Sequence, residues 1–183
     1  MRFIFLGFLS LFSLFLKAQQ LETNQMPGPT TKHDNKTYIT QRIKGDIRPQ
    51  IDGQIRESTW ELVPWAGDFI EQMPDENTPP SQQTQFKIAY DESFLYIAIR
   101  CFDTEPEKIE KRLSRRDGFQ GDRIAFIVDS YLDKRTAFAF SVTAAGVKGD
   151  EFVSENGGNW DDSWNPIWYV ATQIDNLGWT AEM

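Results

Sequence analysis

Gln82-Gln-Thr-Gln-Phe-Lys-Ile-Ala-Tyr-Asp-Glu-Ser-Phe-Leu-Tyr-Ile-Ala-Ile-Arg-Cys-Phe102 reads as two strands joined by a tight turn. Thr84, Phe86, Ile88 and Tyr90 share one face of the first strand. Leu95, Ile97 and Ile99 alternate with Tyr96, Ala98 and Arg100 along the second. Period-two alternation on both sides of Asp91-Glu-Ser93 is the signature of an antiparallel hairpin.

The same pattern recurs outward from this pair. Extended segments are predicted at Tyr38 to Lys44, Phe69 to Gln72, Arg123 to Val128, Lys134 to Thr143, Val147 to Ser154, Trp164 to Ile174 and Trp179 to Met183. Short helical turns are predicted near Ile55 to Leu62 and at Pro106 to Leu113, where Pro opens the turn. Eight or so short strands at roughly ten-residue spacing, with no long helix, define an all-β fold, an antiparallel β-sandwich with one or two short helices. No fixed repeat argues for a propeller or solenoid.

At 183 residues the chain has room for one domain and accessory segments. Arg2 followed by a nearly unbroken apolar run from Phe3 to Leu16 predicts a signal peptide over residues 1–18, since the run is shorter than the roughly 20 residues of a membrane span. Residues 19–37, polar and carrying Pro27, Gly28, Pro29 and the single histidine, His33, read as a flexible linker. The sandwich then occupies residues 38–183. Its closing strand, Trp179 to Met183, lacks a following partner in the sequence, so the domain reads as incomplete at its C-terminus.

A formal charge of −8 leaves no broad positive field, which argues against nucleic acid as a partner. The short basic run Lys111-Arg112 with Arg115-Arg116 sits among Glu107, Glu110 and Asp117 and reads as a solvated face. With one cysteine, Cys101, no intrachain disulfide forms, and its apolar surroundings suit a packed thiol. A Ser/His/Asp, Cys/His or His-zinc site needs a positioned histidine, which a linker residue does not supply. Walker A and dinucleotide fingerprints are absent. The chain is therefore not expected to be an enzyme on its own. A pair of loop carboxylates among Asp150, Glu151, Asp161 and Asp162 stays open as a glycosidase alternative.

Ile51-Asp-Gly-Gln-Ile-Arg-Glu-Ser-Thr-Trp60, Ile88-Ala-Tyr-Asp-Glu-Ser-Phe-Leu-Tyr-Ile-Ala98 and Asp122-Arg-Ile-Ala-Phe-Ile-Val-Asp129, in this order, resemble the family 9 carbohydrate-binding-module fold. Leu113-Ser-Arg-Arg-Asp117, Arg135-Thr-Ala-Phe-Ala-Phe140, Asp161-Asp-Ser-Trp164 and Gly178-Trp-Thr-Ala-Glu182 resemble more narrowly the N-terminal domain of large exported Bacteroidetes-type proteins. In those, the module precedes an outer-membrane-barrel-like region of unknown function. The resemblance implies an exported protein, periplasmic or associated with the outer membrane or cell surface, with that downstream region as a partner. It also implies a poly- or oligosaccharide ligand, a link to carbohydrate catabolism through glycosyl hydrolases, and calcium as a structural brace. A structural or docking role without sugar binding is the alternative.

Aromatic faces suit the C–H face of a pyranose and polar side chains read its hydroxyls. Carbohydrate-binding members carry a tryptophan just before the strand matching Asp122 to Asp129, and here Phe119 stands near that place. The candidate ligand residues are Phe119, Arg116, Trp160 and Trp164, the two tryptophans lying in or beside the Gly-rich stretch Gly157-Gly-Asn-Trp-Asp-Asp-Ser-Trp164. Trp60 and Trp179 are assigned to the core. Of the loop acids Asp117, Asp122, Asp129, Asp133, Asp150, Glu151, Asp161 and Asp162, the candidate calcium ligands are Asp129, Asp161 and Asp162, since calcium takes oxygen donors.

Overall fold

Nine strands form two sheets in a computed structural model that describes residues 36–44 and 47–183. The expected signal peptide, the expected linker through residue 35 with His33, and residues 45–46 lie outside the described residues. The strands are β1 (Gln41–Arg42), β2 (Thr84–Tyr90), β3 (Leu95–Phe102), β4 (Arg123–Val128), β5 (Ala137–Thr143), β6 (Lys148–Ser154), β7 (Asn159–Asp161), β8 (Ala171–Asp175) and β9 (Gly178–Glu182). One sheet has the order β1-β2-β3-β9-β8 and the other β4-β5-β6-β7. Only β1, beside β2, is parallel to its neighbour. This is the β-sandwich expected from the alternation.

The hairpin that decides the fold pairs Thr84 with Cys101 through Tyr90 with Leu95. Asp91 closes it: its carboxylate accepts the N–H groups of Ser93 (2.6 Å) and Phe94 (2.8 Å), the Tyr96 hydroxyl (2.9 Å) and the Arg48 Nε–H (2.6 Å). Desolvation opposes ionisation, but these donors outweigh it and hold the carboxyl down at about 2. A depressed carboxyl contributes stability that is complete above its unfolded value and lost as pH falls toward 2. Asp91→Asn is therefore expected to flatten the acid limb of the stability curve, seen as a smaller difference between urea midpoints at about pH 5 and about pH 2.5.

The central strands β3 and β9 of the five-stranded sheet are covered on both faces. Toward the other sheet, Ile97, Ile99, Cys101, Trp179, Ala181 and Met183 pack with Val142, Ile124 and Phe126. On the opposite face Ala89, Tyr96 and Ala98 are covered by Ile43, Trp60 and Val63 from the segment before β2. The Cys101 thiol is buried, and burial pushes it up to about 11, so it packs and does not react. Trp60 and Trp179 are core residues, as assigned.

A buried carboxylate locks the covering segment in place. Glu182 has no exposed surface. Its Oε1 accepts the Trp60 indole N–H (2.8 Å), and its Oε2 accepts the N–H groups of Asp52 (3.1 Å) and Gly53 (2.9 Å). Gly53 has φ +86°, and a Cβ there would stand 2.8 Å from the Thr172 carbonyl carbon, so only glycine fits. The residues of Asp52-Gly53, Trp60 and Glu182 that carry the family resemblance thus form one structural joint.

Several segments depart from expectation. Tyr38 to Lys44 contributes only the two-residue β1, and Phe69 to Gln72 forms no strand, leaving a single bridge at Ala66–Phe86. The helical turns shrink to 3-10 turns at Ser58–Glu61 and Pro106–Lys108, the second ending where Ile109 turns into the core. Trp164 to Ile174 pairs only over Ala171–Asp175. Conversely, the polar stretch Asn159–Asp161 is a true strand, paired with Phe152–Ser154.

Candidate functional site

Cross-strand partners in an antiparallel sheet share a face, so register sorts the four-stranded sheet. Phe126, Phe138, Phe140, Val142, Asp150 and Phe152 face the other sheet, while Arg123, Ala139, Ser141, Gly149, Glu151, Val153 and Trp160 face outward.

The outer face carries two of the candidate aromatics. The Phe119 ring lies on Gly149, where an added Cβ would meet its Cε1 at 2.1 Å. Only a glycine lets the ring settle on the strand. The Arg123 guanidinium stacks on the same ring, 4.5 Å from its centroid. Trp160 stands beside Val153 at the other end of β6, 47% exposed. Its indole N–H donates to the Gly157 carbonyl (3.0 Å), which fixes the ring's orientation. The turn supplying that carbonyl has three successive residues at positive φ: Glu155, Asn156 and Gly157. Gly149 and Val153 are four positions apart, about 13 Å along the strand.

Glu151 lies between them on the same face. Burial pushes its carboxyl up, and the nearby Asp162 and Asp117 carboxylates add to this, while Arg123 opposes it. A half-exposed indole, a planar cation and a carboxyl of raised pKa thus share one face of one strand ladder. Chemically this set offers a ring platform, a hydroxyl donor and a hydroxyl acceptor.

The other two candidates go elsewhere. Arg116 reaches round the edge of β6 to the buried Asp150 carboxylate and to the Pro166 carbonyl (3.1 Å). Trp164 packs on the inner face against Phe138 (4.7 Å between centroids) and Phe140 (5.5 Å), and Trp168 against Phe140 (5.4 Å). The structure therefore brings Phe119 and Trp160 to one face, and Arg116 and Trp164 to the other. Lys111, Arg112 and Arg115 are exposed, as the solvated-face reading expects.

The candidate calcium ligands each have local partners. Asp129 accepts the N–H groups of Asp133 (3.2 Å) and Lys134 (2.8 Å). Asp161 accepts the N–H (2.9 Å) and hydroxyl (2.6 Å) of Ser163, which hold its carboxyl below the usual range. Asp162 acts on Glu151. Among the described residues, no three His, Cys, Asp or Glu side chains come together as a metal-holding group.

Sequence reasoning missed an apolar cleft between the sheets. One part, about 380 Å³, is lined by Phe94, Phe138, Phe140, Trp164, Trp168 and Tyr169 among others, and an adjoining groove of about 440 Å³ follows β4. Saccharide hydroxyls need polar partners, and an almost wholly apolar lining offers few. Arg123 and Glu151, also missed as ligand residues, were detectable only as alternating polar positions on the solvent side of β4 and β6.

No protein-family model matches the chain, and no curated protein matches it at a significant level. Among solved structures it is similar to a family 9 carbohydrate-binding module from Caldicellulosiruptor kristjanssonii, in complex with cellotriose and in complex with glucose. Both comparisons have a TM-score of 0.56 at 18% identity over 79% of this chain. They cover 64% and 65% of the solved chains, so the chain spans just under two thirds of the length of those modules. The likeness concerns the fold alone: the β-sandwich of this chain is similar to that of those modules.

Proposed function

We propose that the domain binds a saccharide chain along the outer face of the four-stranded sheet. Trp160 is the sugar platform, Glu151 and Arg123 bond the hydroxyls, and Phe119 is the packed wall that positions Arg123. One observation carries this reading: a half-exposed indole, locked to the Gly157 carbonyl, stands on the same face as Glu151 and Arg123. An orientation fixed before binding lowers the entropy cost of recognition. Solved modules of similar fold hold cellotriose and glucose, which supports the ligand class. The apolar run after Arg2 supports an exported setting, where polysaccharide would be met.

The test is calorimetric titration of the chain with cello- and xylo-oligosaccharides. Saturable binding is expected, weakened at least about tenfold in Trp160→Ala, which corresponds to about 1.4 kcal/mol. Affinity that survives Trp160→Ala unchanged, or no heat at millimolar sugar, would overturn the reading. A pH series adds a second check. Because the Glu151 carboxyl is pushed up, it takes up its proton at a higher pH than an ordinary glutamate and loses acceptor capacity there. Affinity is expected to fall on acidification through that raised value, and Glu151→Gln is expected to remove the dependence.

A further inference from the structure

Residues 103–122 carry the chain from β3 in one sheet to β4 in the other. Within this connection residues 110–115 form an irregular strap, in neither helix nor strand. Both ends of the strap are anchored. The Glu110 N–H donates to the Asp122 carboxylate (2.7 Å), and a Cβ added at Gly121 would meet the Glu110 carbonyl oxygen at 2.5 Å. At the far end the Asp117 N–H donates to the Lys148 carbonyl (3.0 Å), and Arg116 holds the buried Asp150 carboxylate. Between the anchors the backbone is free. Among the described residues, the N–H and C=O groups of Lys111, Arg112, Leu113 and Ser114 make no hydrogen bond. Leu113 is 78% exposed, and Arg112 has only a 3.4 Å bond to Gln120 and a Glu110 carboxylate 4.0 Å away, both at the surface. Such exposed contacts hold little energy.

The other dibasic pairs of the sequence are built the opposite way. Lys134 has φ +58° and donates its N–H to Asp129 (2.8 Å). Arg135 and Thr136 donate theirs to Asp133 (2.7 and 2.8 Å), and the Arg135 carbonyl accepts the Asn156 N–H (3.2 Å). In Arg115-Arg116 the first carbonyl accepts the Gly118 N–H (2.9 Å), and the second guanidinium belongs to Asp150. A peptide recognised as an added strand lends its backbone groups to the partner. Lys134-Arg135 and Arg115-Arg116 must first give up the bonds they have, whereas Lys111 to Ser114 have none to lose.

We infer that the strap is a processing site for an endoprotease whose specificity pocket carries a carboxylate, and that the bond cut is Arg112–Leu113. Arg112 supplies the cation for that pocket. It has free backbone on both sides, Lys111 before it and Leu113-Ser114 after it, whereas Lys111 follows the anchored Glu110. Water adds across the peptide bond: the C–N bond breaks, Arg112 keeps a carboxylate and Leu113 gains a free amine. The cut leaves the sandwich closed, because β3, before the cut, stays paired with β9, after it, and the bonds from Glu110 to Asp122 and from Asp117 to Lys148 hold both new ends. Trp160, Glu151 and Arg123 play no part, so this inference is independent of the saccharide reading.

The experiment is limited digestion of the 183-residue chain with trypsin in the absence of denaturant, read by intact mass and N-terminal sequencing. Within residues 38–183 the first new N-terminus is expected at Leu113, ahead of any cut after Lys134 or Arg135. The double variant Lys111→Gln/Arg112→Gln changes only exposed side chains and is expected to keep the urea midpoint while slowing the first cut in this range at least about tenfold. Glu182→Gln loosens the fold elsewhere and is expected to leave the rate of the Leu113 cut unchanged, since a site open in the native state needs no unfolding. The nicked chain is expected to elute with the intact one and to keep its tryptophan fluorescence. The proposal is overturned if the first cut in residues 38–183 falls elsewhere, or if Glu182→Gln speeds the Leu113 cut in proportion to its lost stability. It is also overturned if the two fragments separate without denaturant.

Discussion

Glu182→Ala is expected to destabilise the domain by about 3 kcal/mol or more, at about 1–3 kcal/mol for each buried donor left without its acceptor. Three donors lose their acceptor at once: the Trp60 indole and the N–H groups of Asp52 and Gly53. Each is left in a joint where water does not replace the lost bond, and the deleted side chain adds a cavity. Since small domains hold roughly 5–15 kcal/mol in total, such a loss removes a large part of the folding free energy. Urea denaturation followed by tryptophan fluorescence reads it directly. A midpoint within error of the wild type would show that the covering segment is held by Ile43, Trp60 and Val63 packing alone. Glu182→Gln keeps the volume but presents an NH₂ to either the indole or the two amides, so it is expected to fall between wild type and alanine.

The same residue has a pH signature. Burial pushes the Glu182 carboxyl up, and its three donors only partly offset that. The folded state then binds a proton more readily than the unfolded one. Its stabilising contribution is greatest below the unfolded glutamate value and declines as pH rises through the folded one. Asp91 acts in the opposite sense, losing its contribution as pH falls toward 2. The two slopes oppose each other within the acid limb of the stability curve, and the variants Glu182→Gln and Asp91→Asn separate them.

What the sequence showed and what it concealed follow from the range of the interactions involved. The hairpin Thr84–Tyr90 with Leu95–Phe102 and the strand Arg123–Val128 were legible because their patterns are local and each of the three strands turns at least one face to the core. Trp60 and Trp179 were legible as core through the family resemblance of the stretches that carry them. The division of the candidate residues was not. Trp160 and Trp164 are four residues apart, yet the β6–β7 register sends the first outward, and the chain after β7 folds the second onto Phe138. Arg116 neighbours Phe119 in sequence, but its long side chain passes the edge of β6 to find Asp150. The cleft joins Phe94 to Trp168, residues that no local pattern relates. Pairing likewise decided Trp164 to Ile174, where strand bonds form over Ala171–Asp175 beside β9.

Arg116→Met is expected to cost about 2–4 kcal/mol, and the double variant Arg116→Met/Asp150→Leu to recover much of that loss. Asp150 is 1% exposed, its Oδ1 has no hydrogen-bond partner, and its Oδ2 receives the Arg116 guanidinium and the Trp168 indole N–H (3.0 Å). Without the arginine, a buried carboxylate keeps one neutral donor and no counter-charge, which is the costly case. Replacing both charges with apolar side chains removes that penalty and the unpaired oxygen together, leaving the Trp168 N–H as the remaining cost, about 1 kcal/mol. Thermal or urea melts of the four members of the cycle give the coupling energy. If the single variant is as stable as the wild type, Asp150 does not carry a charge that depends on Arg116. If the double variant is less stable than the sum of the single losses, the pair is not a buried charge awaiting neutralisation but a geometric brace.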